Sequence, residues 1–520
     1  MSRLDRPAVQ RGLAVLSGLI SALAFPSWDM GWLAFVGWVP LCFVVQGVRP
    51  RRAAGLGFFA GFAFYLATVW WVINTMTTYG HMPLVMSILA LVLMAAVLAG
   101  YVAAFGALLA SVQMTLRISA GLVPALAAMF WTGIELVRTY LFSGFPWALL
   151  GYTQYRQPTL RLLASVVGVY GISALIMLVN ATLAGFLAAW QAASAARRWR
   201  DQTLAVGIAV LALAASAAYA NGVWRDETAG PAIAIGLLQG NIDQSIKWDR
   251  RYQLSTLEIY ERLAREAATQ HPMLIVWPEA ATPFLLRREP EMGARIVQLV
   301  KETGVPMLIG TPDIRADGLF YNSAFLLDTE GRLAGRYDKR HLVPFGEYVP
   351  LQSLLFFVHR LAVGIGDFGR GVQATVLSTD GFRFGVMICY EAIFPAEVRE
   401  FAVNGAQVLV NITNDAWFGR SSAPYQHFAM AVMRAVENGM YLVRAANTGI
   451  SAVVDPAGTV HAQTPLFTQA VLVGTVHRRV GETLYTRYGD WFAWLCLAGS
   501  VGYGLALSRQ WWSRRKEARV

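Results

Sequence analysis

Long apolar runs, each near the length of a bilayer-spanning helix, dictate most of what this chain can become. They lie near residues 10–27, 30–47, 54–74, 83–113, 119–141, 162–190, 203–221 and 489–508. A hydrocarbon core takes about 20 apolar residues per helix. Two of the runs are longer, which predicts tilt or extension into the interface. Phe25-Pro26-Ser27-Trp28 separates the first two and reads as a tight turn. The chain of 520 residues is 56% hydrophobic and only 14% charged, too apolar for a soluble protein of this length. The expectation is a polytopic α-helical membrane domain of about eight spans plus one water-soluble α/β domain. Residues 1–225 hold spans one to seven, 226–480 the soluble domain, 489–508 span eight and 509–520 a basic tail.

Basic residues set the orientation, because they are enriched on the cytoplasmic side of multispan proteins. Arg3, Arg6 and Arg11 precede span one, and Arg49, Arg51 and Arg52 follow span two. Arg117 follows span four, and Arg197, Arg198 and Arg200 follow span six. Arg509, Arg514, Arg515, Lys516 and Arg519 follow span eight. An eight-span layout puts all of them on one side, so both termini are expected in the cytoplasm. The soluble domain after span seven then faces outward, with the loops near 75–82 and 142–160. The net charge of +11 would suit a nucleic-acid partner. The basic residues flank apolar spans instead of forming a patch interleaved with aromatics, so that class is set aside. Span one also has the arginines, apolar core and Ser21-Ala22-Leu23-Ala24 of a signal peptide. An uncleaved helix is expected, since a multispan protein needs no cleavage.

Ionisable residues inside spans are rare and face protein or a cavity. Glu135 and Arg138 lie one helical turn apart in span five and have two readings, an internal pair that fixes packing or a site for a lipid headgroup. The stretch Ser143-Gly144-Phe145-Pro146-Trp147, with Gly151-Tyr152-Thr153-Gln154, reads as an interfacial aromatic anchor.

The soluble domain alternates strands and helices. Strands are expected at Ile233–Gln239, Met273–Trp277, Met307–Gly310, Phe382–Ile388 and Val408–Ile412, with a hairpin of Tyr321–Asp328 and Arg332–Tyr337. Helices are expected over Arg251–Gln270, 291–303, Pro395–Asn404 and 424–440, and two strand pairs close the domain. Leu254, Leu257, Ile259, Tyr260 and Leu263 form the apolar side of the first helix. Between Gly346 and Gly371 an apolar segment is broken by glycines at 364, 366 and 369; a loop this long in a compact domain reads as a lid dipping into the outer leaflet. Asn180 and Asn411 head N-x-T sequons, one in a span and one in a core strand, so neither is read as a glycosylation site. No Gly-rich phosphate loop, metal-spaced His/Cys set or internal repeat occurs, so neither cofactor nor metal is expected.

The chemistry centres on Phe384-Gly385-Val386-Met387-Ile388-Cys389-Tyr390-Glu391, an apolar strand running into a thiol. Of three cysteines, Cys42 and Cys496 lie in apolar runs, so Cys389 has no disulfide partner in its domain and can stay reduced in an oxidising compartment. Most free cysteines are small buried hydrophobes. A lone thiol at the end of a strand, followed by polar residues, is also a candidate nucleophile. A thiol at its ordinary pKa is mostly protonated and needs a base. Glu279 ends one strand after Trp277-Pro278, and Lys339 ends another in Tyr337-Asp338-Lys339-Arg340-His341. A buried glutamate can act as the base, and a lysine can hold an oxyanion. Taken singly, either is an ordinary surface residue. His341 or His427 could instead pair with the thiol.

Trp277-Pro278-Glu279, Tyr337-Asp338-Lys339 and Cys389-Tyr390-Glu391, in this order and roughly 50 residues apart, resemble the Glu-Lys-Cys set of the carbon–nitrogen hydrolase (nitrilase) superfamily. The resemblance covers about residues 230–478 and implies an α-β-β-α sandwich. It also implies Glu279 as general base, Lys339 as oxyanion stabiliser and Cys389 as nucleophile. Gln239-Gly240-Asn241-Ile242, Lys247-Trp248, the run from His341 through Pro344-Phe345-Gly346-Glu347-Tyr348 to Pro350, and Asn411 through Asn414-Asp415-Ala416-Trp417-Phe418 narrow it. With Phe145-Pro146-Trp147 and the span layout, these resemble the bacterial apolipoprotein N-acyltransferases over nearly the whole chain.

That family resemblance implies a ping-pong acyl transfer in the bacterial inner membrane, with the catalytic domain in the periplasm. Cys389 would take the sn-1 acyl chain of a phospholipid, typically phosphatidylethanolamine, as a thioester. The α-amine of an N-terminal diacylglyceryl-cysteine on an apolipoprotein would then accept it. Glu347, Tyr390 and Glu391 are implied as supports and Trp248 as a substrate or lipid contact. The plain readings of Glu347 and Trp248 are a loop carboxylate at the lid hinge and an interfacial anchor. A monomer is the default. Two rivals stand beside this reading. One is a membrane-anchored amidase or nitrilase acting on a small amide, for which the spans and lid would serve no purpose. The other is a transporter or receptor with a non-catalytic outer domain, which would call for charges lining several spans.

Overall fold

A computed structural model describes residues 6–115, 120–190, scattered positions from 203 to 219, 230–349, 368–379, 381–479 and 481–517. Most of the seventh expected span and most of the apolar segment between Gly346 and Gly371 lie outside the described residues. The chain forms two compact units. One comprises residues 1–70, 88–219 and 490–520, and the other 71–87 and 220–489.

The first unit is helical, with long helices at Pro7–Ala22, Pro50–Thr68, Leu84–Thr115, Val123–Tyr140, Ala164–Trp190 and Trp491–Glu517. Among the described residues three helices are long and apolar enough to cross a membrane, or four if Pro50–Thr68 and Val72–Tyr79 form one bent span. The expected run at 30–47 is not one helix. It breaks into Gly31–Leu33, Ala34–Gly37 and Val39–Val44, where Gly37 and Pro40 interrupt the helical ladder. Asn180 is part of the packing here, because its side chain donates to the carbonyls of Ala34 at 2.7 Å and Ile176 at 2.8 Å and accepts from the Trp38 amide at 2.8 Å.

Glu135 and Arg138 are both buried. Arg138 donates to the carbonyls of Phe145 at 3.2 Å and Trp147 at 2.5 Å, while Glu135 accepts from the Trp131 indole and the Leu150 amide, both at 2.9 Å. Their polar atoms clasp the 145–150 loop, which favours the packing reading over a headgroup site. The clasp also corrects the anchor reading of this loop. Trp147 is 1% exposed and Tyr152 2%, so both rings belong to the protein interior.

Among its described residues the second unit carries twelve strands in two six-stranded sheets. In chain order they are β1 Ala232–Gln239, β2 Leu274–Val276, β3 Met307–Ile314, β4 Phe320–Leu327, β5 Leu333–Asp338, β6 Val376–Thr379, β7 Phe382–Ile388, β8 Val408–Thr413, β9 Leu442–Ala446, β10 Ala452–Val454, β11 Val460–Gln463 and β12 Ala470–His477. The first sheet runs β12-β1-β2-β3-β4-β5 and the second β11-β10-β9-β8-β7-β6. Each has three parallel strands at its centre (β1, β2, β3 and β7, β8, β9) flanked by antiparallel ones. Helices Gln253–Ala268 and Pro290–Thr303 cover the first sheet, and their Leu257, Tyr260, Leu263, Ile296 and Leu299 join Ile275, Trp277, Met307 and Phe325 in one buried cluster. Leu254, expected on that apolar side, is 45% exposed. Helices Pro395–Val403 and Ala423–Asn438 pack on the second sheet. The layers are therefore helix, sheet, sheet, helix, as the resemblance implied. Short β6 is the strand that sequence patterning passed over.

Candidate active site

Parallel strands deliver the residues just past their C-terminal ends to one edge of their sheet. Glu279 comes three residues beyond Val276, the end of β2, Cys389 comes directly after β7, and Asn414 directly after β8. Lys339 comes directly after β5 on the first sheet, where its amide donates to the Asn322 carbonyl of β4 at 2.8 Å. Gly310 of β3 makes the approach of Glu279 possible, since a side chain there would collide with the backbone of Pro278 and Glu279.

The Glu279 carboxylate lies on the seam between the sheets. Its Oε1 accepts from Asn322 Nδ2 at 2.7 Å and Lys339 Nζ at 3.4 Å, and its Oε2 accepts from the Asn414 amide at 2.8 Å. Lys339 Nζ also donates to Glu347 Oε1 at 2.9 Å, and Val343 N holds Glu347 Oε2 at 2.8 Å. Burial would lower the Lys339 ammonium, but Glu347 and then Glu279 outweigh it, so the pKa is raised and Lys339 stays charged.

Cys389 is buried and takes φ +51°. A non-glycine residue there is strained by about 1–3 kcal/mol and needs outside support. Its neighbours in the chain supply it. Glu391 folds back so that its Oε2 accepts from Ile388 N at 2.7 Å, while Oε1 accepts from Tyr337 OH at 2.7 Å and Arg340 N at 2.6 Å. One carboxylate thus ties the end of β7 to the end of β5. Burial pushes Glu391 up to about 7, against the pull of these donors. Tyr390 packs against His341 and Phe394 with ring centroids at 5.6 and 5.2 Å. Burial and then the Glu279 carboxylate raise the Cys389 thiol, with Lys339 acting the other way. The resting group is a protonated thiol, with Glu279 and Lys339 the two charged groups that act on it most.

Both histidines have polar partners other than the thiol. His427 Nε2 donates to the Cys389 carbonyl at 3.1 Å, and its Nδ1 lies 2.9 Å from Asp415 Oδ1. Burial and the Arg444 guanidinium lower its pKa. Asp415 is lowered too; burial opposes this, but Arg444, at 2.7 Å, and His427 prevail. His341 Nδ1 lies 2.6 Å from Glu397, and its ring stacks on Phe394. Trp248 is half-buried beside Lys247 on the loop after β1.

Three contributors were not read from sequence. Asn322 bridges both carboxylates, reaching Glu347 Oε1 at 3.1 Å. Lys247 is fully buried, with Nζ 3.3 Å from the Glu279 carbonyl. Residues 71–79 brace the turn after β8. There Trp71 Nε1 donates to Gln426 at 3.2 Å, Thr75 Oγ1 donates to the Trp417 carbonyl at 3.0 Å, and the Tyr79 and Trp417 rings meet at 5.4 Å. The Lys247-Trp248 pair was a visible signal for the second. Nothing local marked the other two.

Known families match both units. Residues 234–485 fit the carbon-nitrogen hydrolase family, and residues 17–182 fit the apolipoprotein N-acyltransferase N-terminal domain. An apolipoprotein N-acyltransferase of Geobacter metallireducens is 44% identical over 496 residues, covering 94% of this chain and 93% of its own. Namesakes from Methylococcus capsulatus and Nitrosomonas europaea are 39% and 35% identical, covering 73% of this chain each and 73% and 74% of their own. The order of the two matched regions and the near full-length identity agree, and this chain belongs to the apolipoprotein N-acyltransferase family.

Proposed function

We propose that this acyltransferase moves the sn-1 acyl chain of a phospholipid, with phosphatidylethanolamine as donor, onto the α-amine of an apolipoprotein's N-terminal diacylglyceryl-cysteine. Glu279 takes the Cys389 proton, and the sulfur attacks the ester carbonyl. Lys339 holds the oxyanion that forms. The ester C–O bond breaks, Glu279 returns the proton to the glycerol oxygen, and lysophospholipid leaves. A thioester remains on Cys389. In the second half the amine loses a proton to Glu279 and attacks the thioester. The C–S bond breaks, the thiol regains its proton, and an N-acylated lipoprotein departs. Glu347 and Asn322 fix Lys339 and Glu279, Glu391 and Tyr390 hold the strained turn, and Trp248 contacts an incoming chain.

The observation that carries this reading is the Glu279 carboxylate, bonded to Lys339 and Asn322 of one sheet and Asn414 of the other beside a protonated thiol. The same reading takes the chain as a monomer in the bacterial inner membrane. Its layout is about eight spans: residues 1–225 with seven of them and 489–508 as the eighth, both termini and the basic tail cytoplasmic, and 226–480 as a periplasmic catalytic domain. The arginines flanking alternate apolar runs support that orientation.

Acyl trapping tests it. Purified chain in detergent is mixed with phosphatidylethanolamine labelled in the sn-1 chain, without acceptor. Label on the chain that hydroxylamine releases, and that is absent from Cys389→Ala, is the expected result. No label on folded chain would overturn the lipid-donor step and favour a small-amide hydrolase.

A further inference from the structure

The buried charges around Cys389 do not balance without one residue that the proposed mechanism leaves unused. Glu279 and Glu347 are two carboxylates, and both share the single ammonium of Lys339, at 3.4 and 2.9 Å. The next pair outward, Asp415 with Arg444 at 2.7 Å, is balanced within itself. A site left with one excess negative charge would oppose a thiolate or an oxyanion, and burial makes that opposition large. Among the described residues, Lys247 is a second buried cation acting on this thiol. It sits on the loop after β1, is 1% exposed, and donates to the backbone carbonyl of Glu279 at 3.3 Å. Holding a lysine in such a place costs desolvation, which a carbonyl alone repays poorly.

We propose that Lys247 is a positioning residue of the acyl transfer: the second cation of the site, which holds the Glu279 backbone and offsets the second carboxylate so that Cys389 can ionise. This rests on the reading of Cys389 as nucleophile. Among the described residues, the charged and titratable groups facing the thiol are Glu279 and Lys339 from the first sheet's loops, Lys247 from the loop after β1, Asp415 from the turn after β8, and Tyr390 beside it, with His427 on the Cys389 carbonyl and Glu391 on the Ile388 amide. Those facing Lys247 are Glu279 and Cys389. Burial pulls the Lys247 ammonium down to about 8, against those two groups, so its charge is present at neutral pH and fades just above it.

The test reads the thiol without any lipid. Full-length chain in detergent is alkylated with iodoacetamide from about pH 6 to about pH 10, across the ordinary thiol range, and modification of the Cys389 peptide is followed by mass spectrometry. Lys247→Met removes the charge and the donor, whereas Lys247→Gln removes the charge and keeps a donor. Both are expected to slow alkylation about tenfold below about pH 8, one unit of thiol pKa, and by less above it, where native Lys247 loses its own charge, in chain whose thermal unfolding is still cooperative. Native rates in either variant, or a native rate in Lys247→Gln alone, would overturn the charge role. If neither variant folds, the native profile decides. Its logarithmic slope should flatten above about pH 8 as Lys247 loses its proton. A profile with the full slope of one ionisation there would overturn the proposal. Acyl trapping on native chain fails or succeeds independently, so loss of the lipid-donor reading and loss of the Lys247 role are separable.

Discussion

Each unit buries a carboxylate and a cation, and the two pairs are used in opposite ways. In the helical unit, Glu135 and Arg138 turn their polar atoms to an indole, an amide and loop carbonyls. Those contacts hold the 145–150 loop in place. In the sandwich, Lys339 and Asn322 each donate to both Glu279 and Glu347, and Glu279 and Lys339 act on a strained thiol. Charges bonded to immobile backbone give packing. Charges bonded to side chains around an acidic proton give a site in which that proton can move. Burial alone distinguishes nothing, for all four residues are buried.

The largest expected effect falls on the sandwich pair. Lys339→Met should slow formation of the acyl-enzyme by about 10²–10³-fold, the usual loss when one oxyanion donor is removed, about 2.7–4 kcal/mol. The rate must be scored per folded molecule, because the variant also strips a cation from two carboxylates. Trapping within a factor of a few of native would place Lys339 with Arg138, as a structural cation only.

Glu391 sharpens the contrast through pH. Burial raises its folded pKa to about 7, above the ordinary carboxylate value. A raised pKa means that the stabilising contribution is full below the unfolded pKa and is lost as pH climbs through the folded one. Native chain should therefore lose stability relative to Glu391→Gln between about pH 4 and about pH 7, by on the order of 3 kcal/mol. Denaturant midpoints of the two chains, measured across that window, check it. A difference independent of pH would mean that the Glu391 carboxyl keeps one charge state across the window.

Much of this was legible in sequence, and what was not has a common cause. Phe382–Ile388 declares itself as a strand by apolar patterning, and a lone thiol after it stands out because the other cysteines sit in apolar runs. Glu279, Lys339 and Cys389 were readable as strand-end residues in a family order, and the sheets do bring Glu279 and Lys339 into contact. Asn322, Lys247 and Thr75 were not, since what matters for each is a partner far along the chain, and local pattern does not encode long-range pairing. Trp147 misled for a different reason. An aromatic loop has one composition whether it anchors at an interface or is drawn inward, and the Arg138 contacts that draw it in are tertiary. The run at 30–47 misled because hydropathy counts apolar residues and not the glycine and proline that divide a helix.

Arg138→Met carries the helical side of the comparison. Loss of hydrogen bonds from a charged donor to buried carbonyls should cost about 1.5–3 kcal/mol of stability. Acyl trapping per folded molecule should stay native. A folded variant with slowed acylation would show that the 145–150 loop serves the chemistry and would end the division into clasp and site.

The smallest effect asks how far the site's support extends. Thr75 Oγ1 donates to the Trp417 carbonyl in the turn that begins at Asn414, and the Asn414 amide holds Glu279 Oε2. Thr75→Ala removes one hydrogen bond to a partly buried carbonyl, worth about 1 kcal/mol. If the brace works only as packing, that loss appears in the unfolding midpoint and trapping is unchanged. If it positions the turn, part of it appears as slower acylation, by up to about fivefold, the factor that about 1 kcal/mol gives in a rate. The second outcome is expected. The Asn414 amide is the one contact from the second sheet to the Glu279 carboxylate among the described residues, so a small shift of this turn changes how the base meets the thiol. Trapping rate and midpoint measured on the same preparation separate the two, and a fall in midpoint without a fall in rate would confine the site to the two sheets.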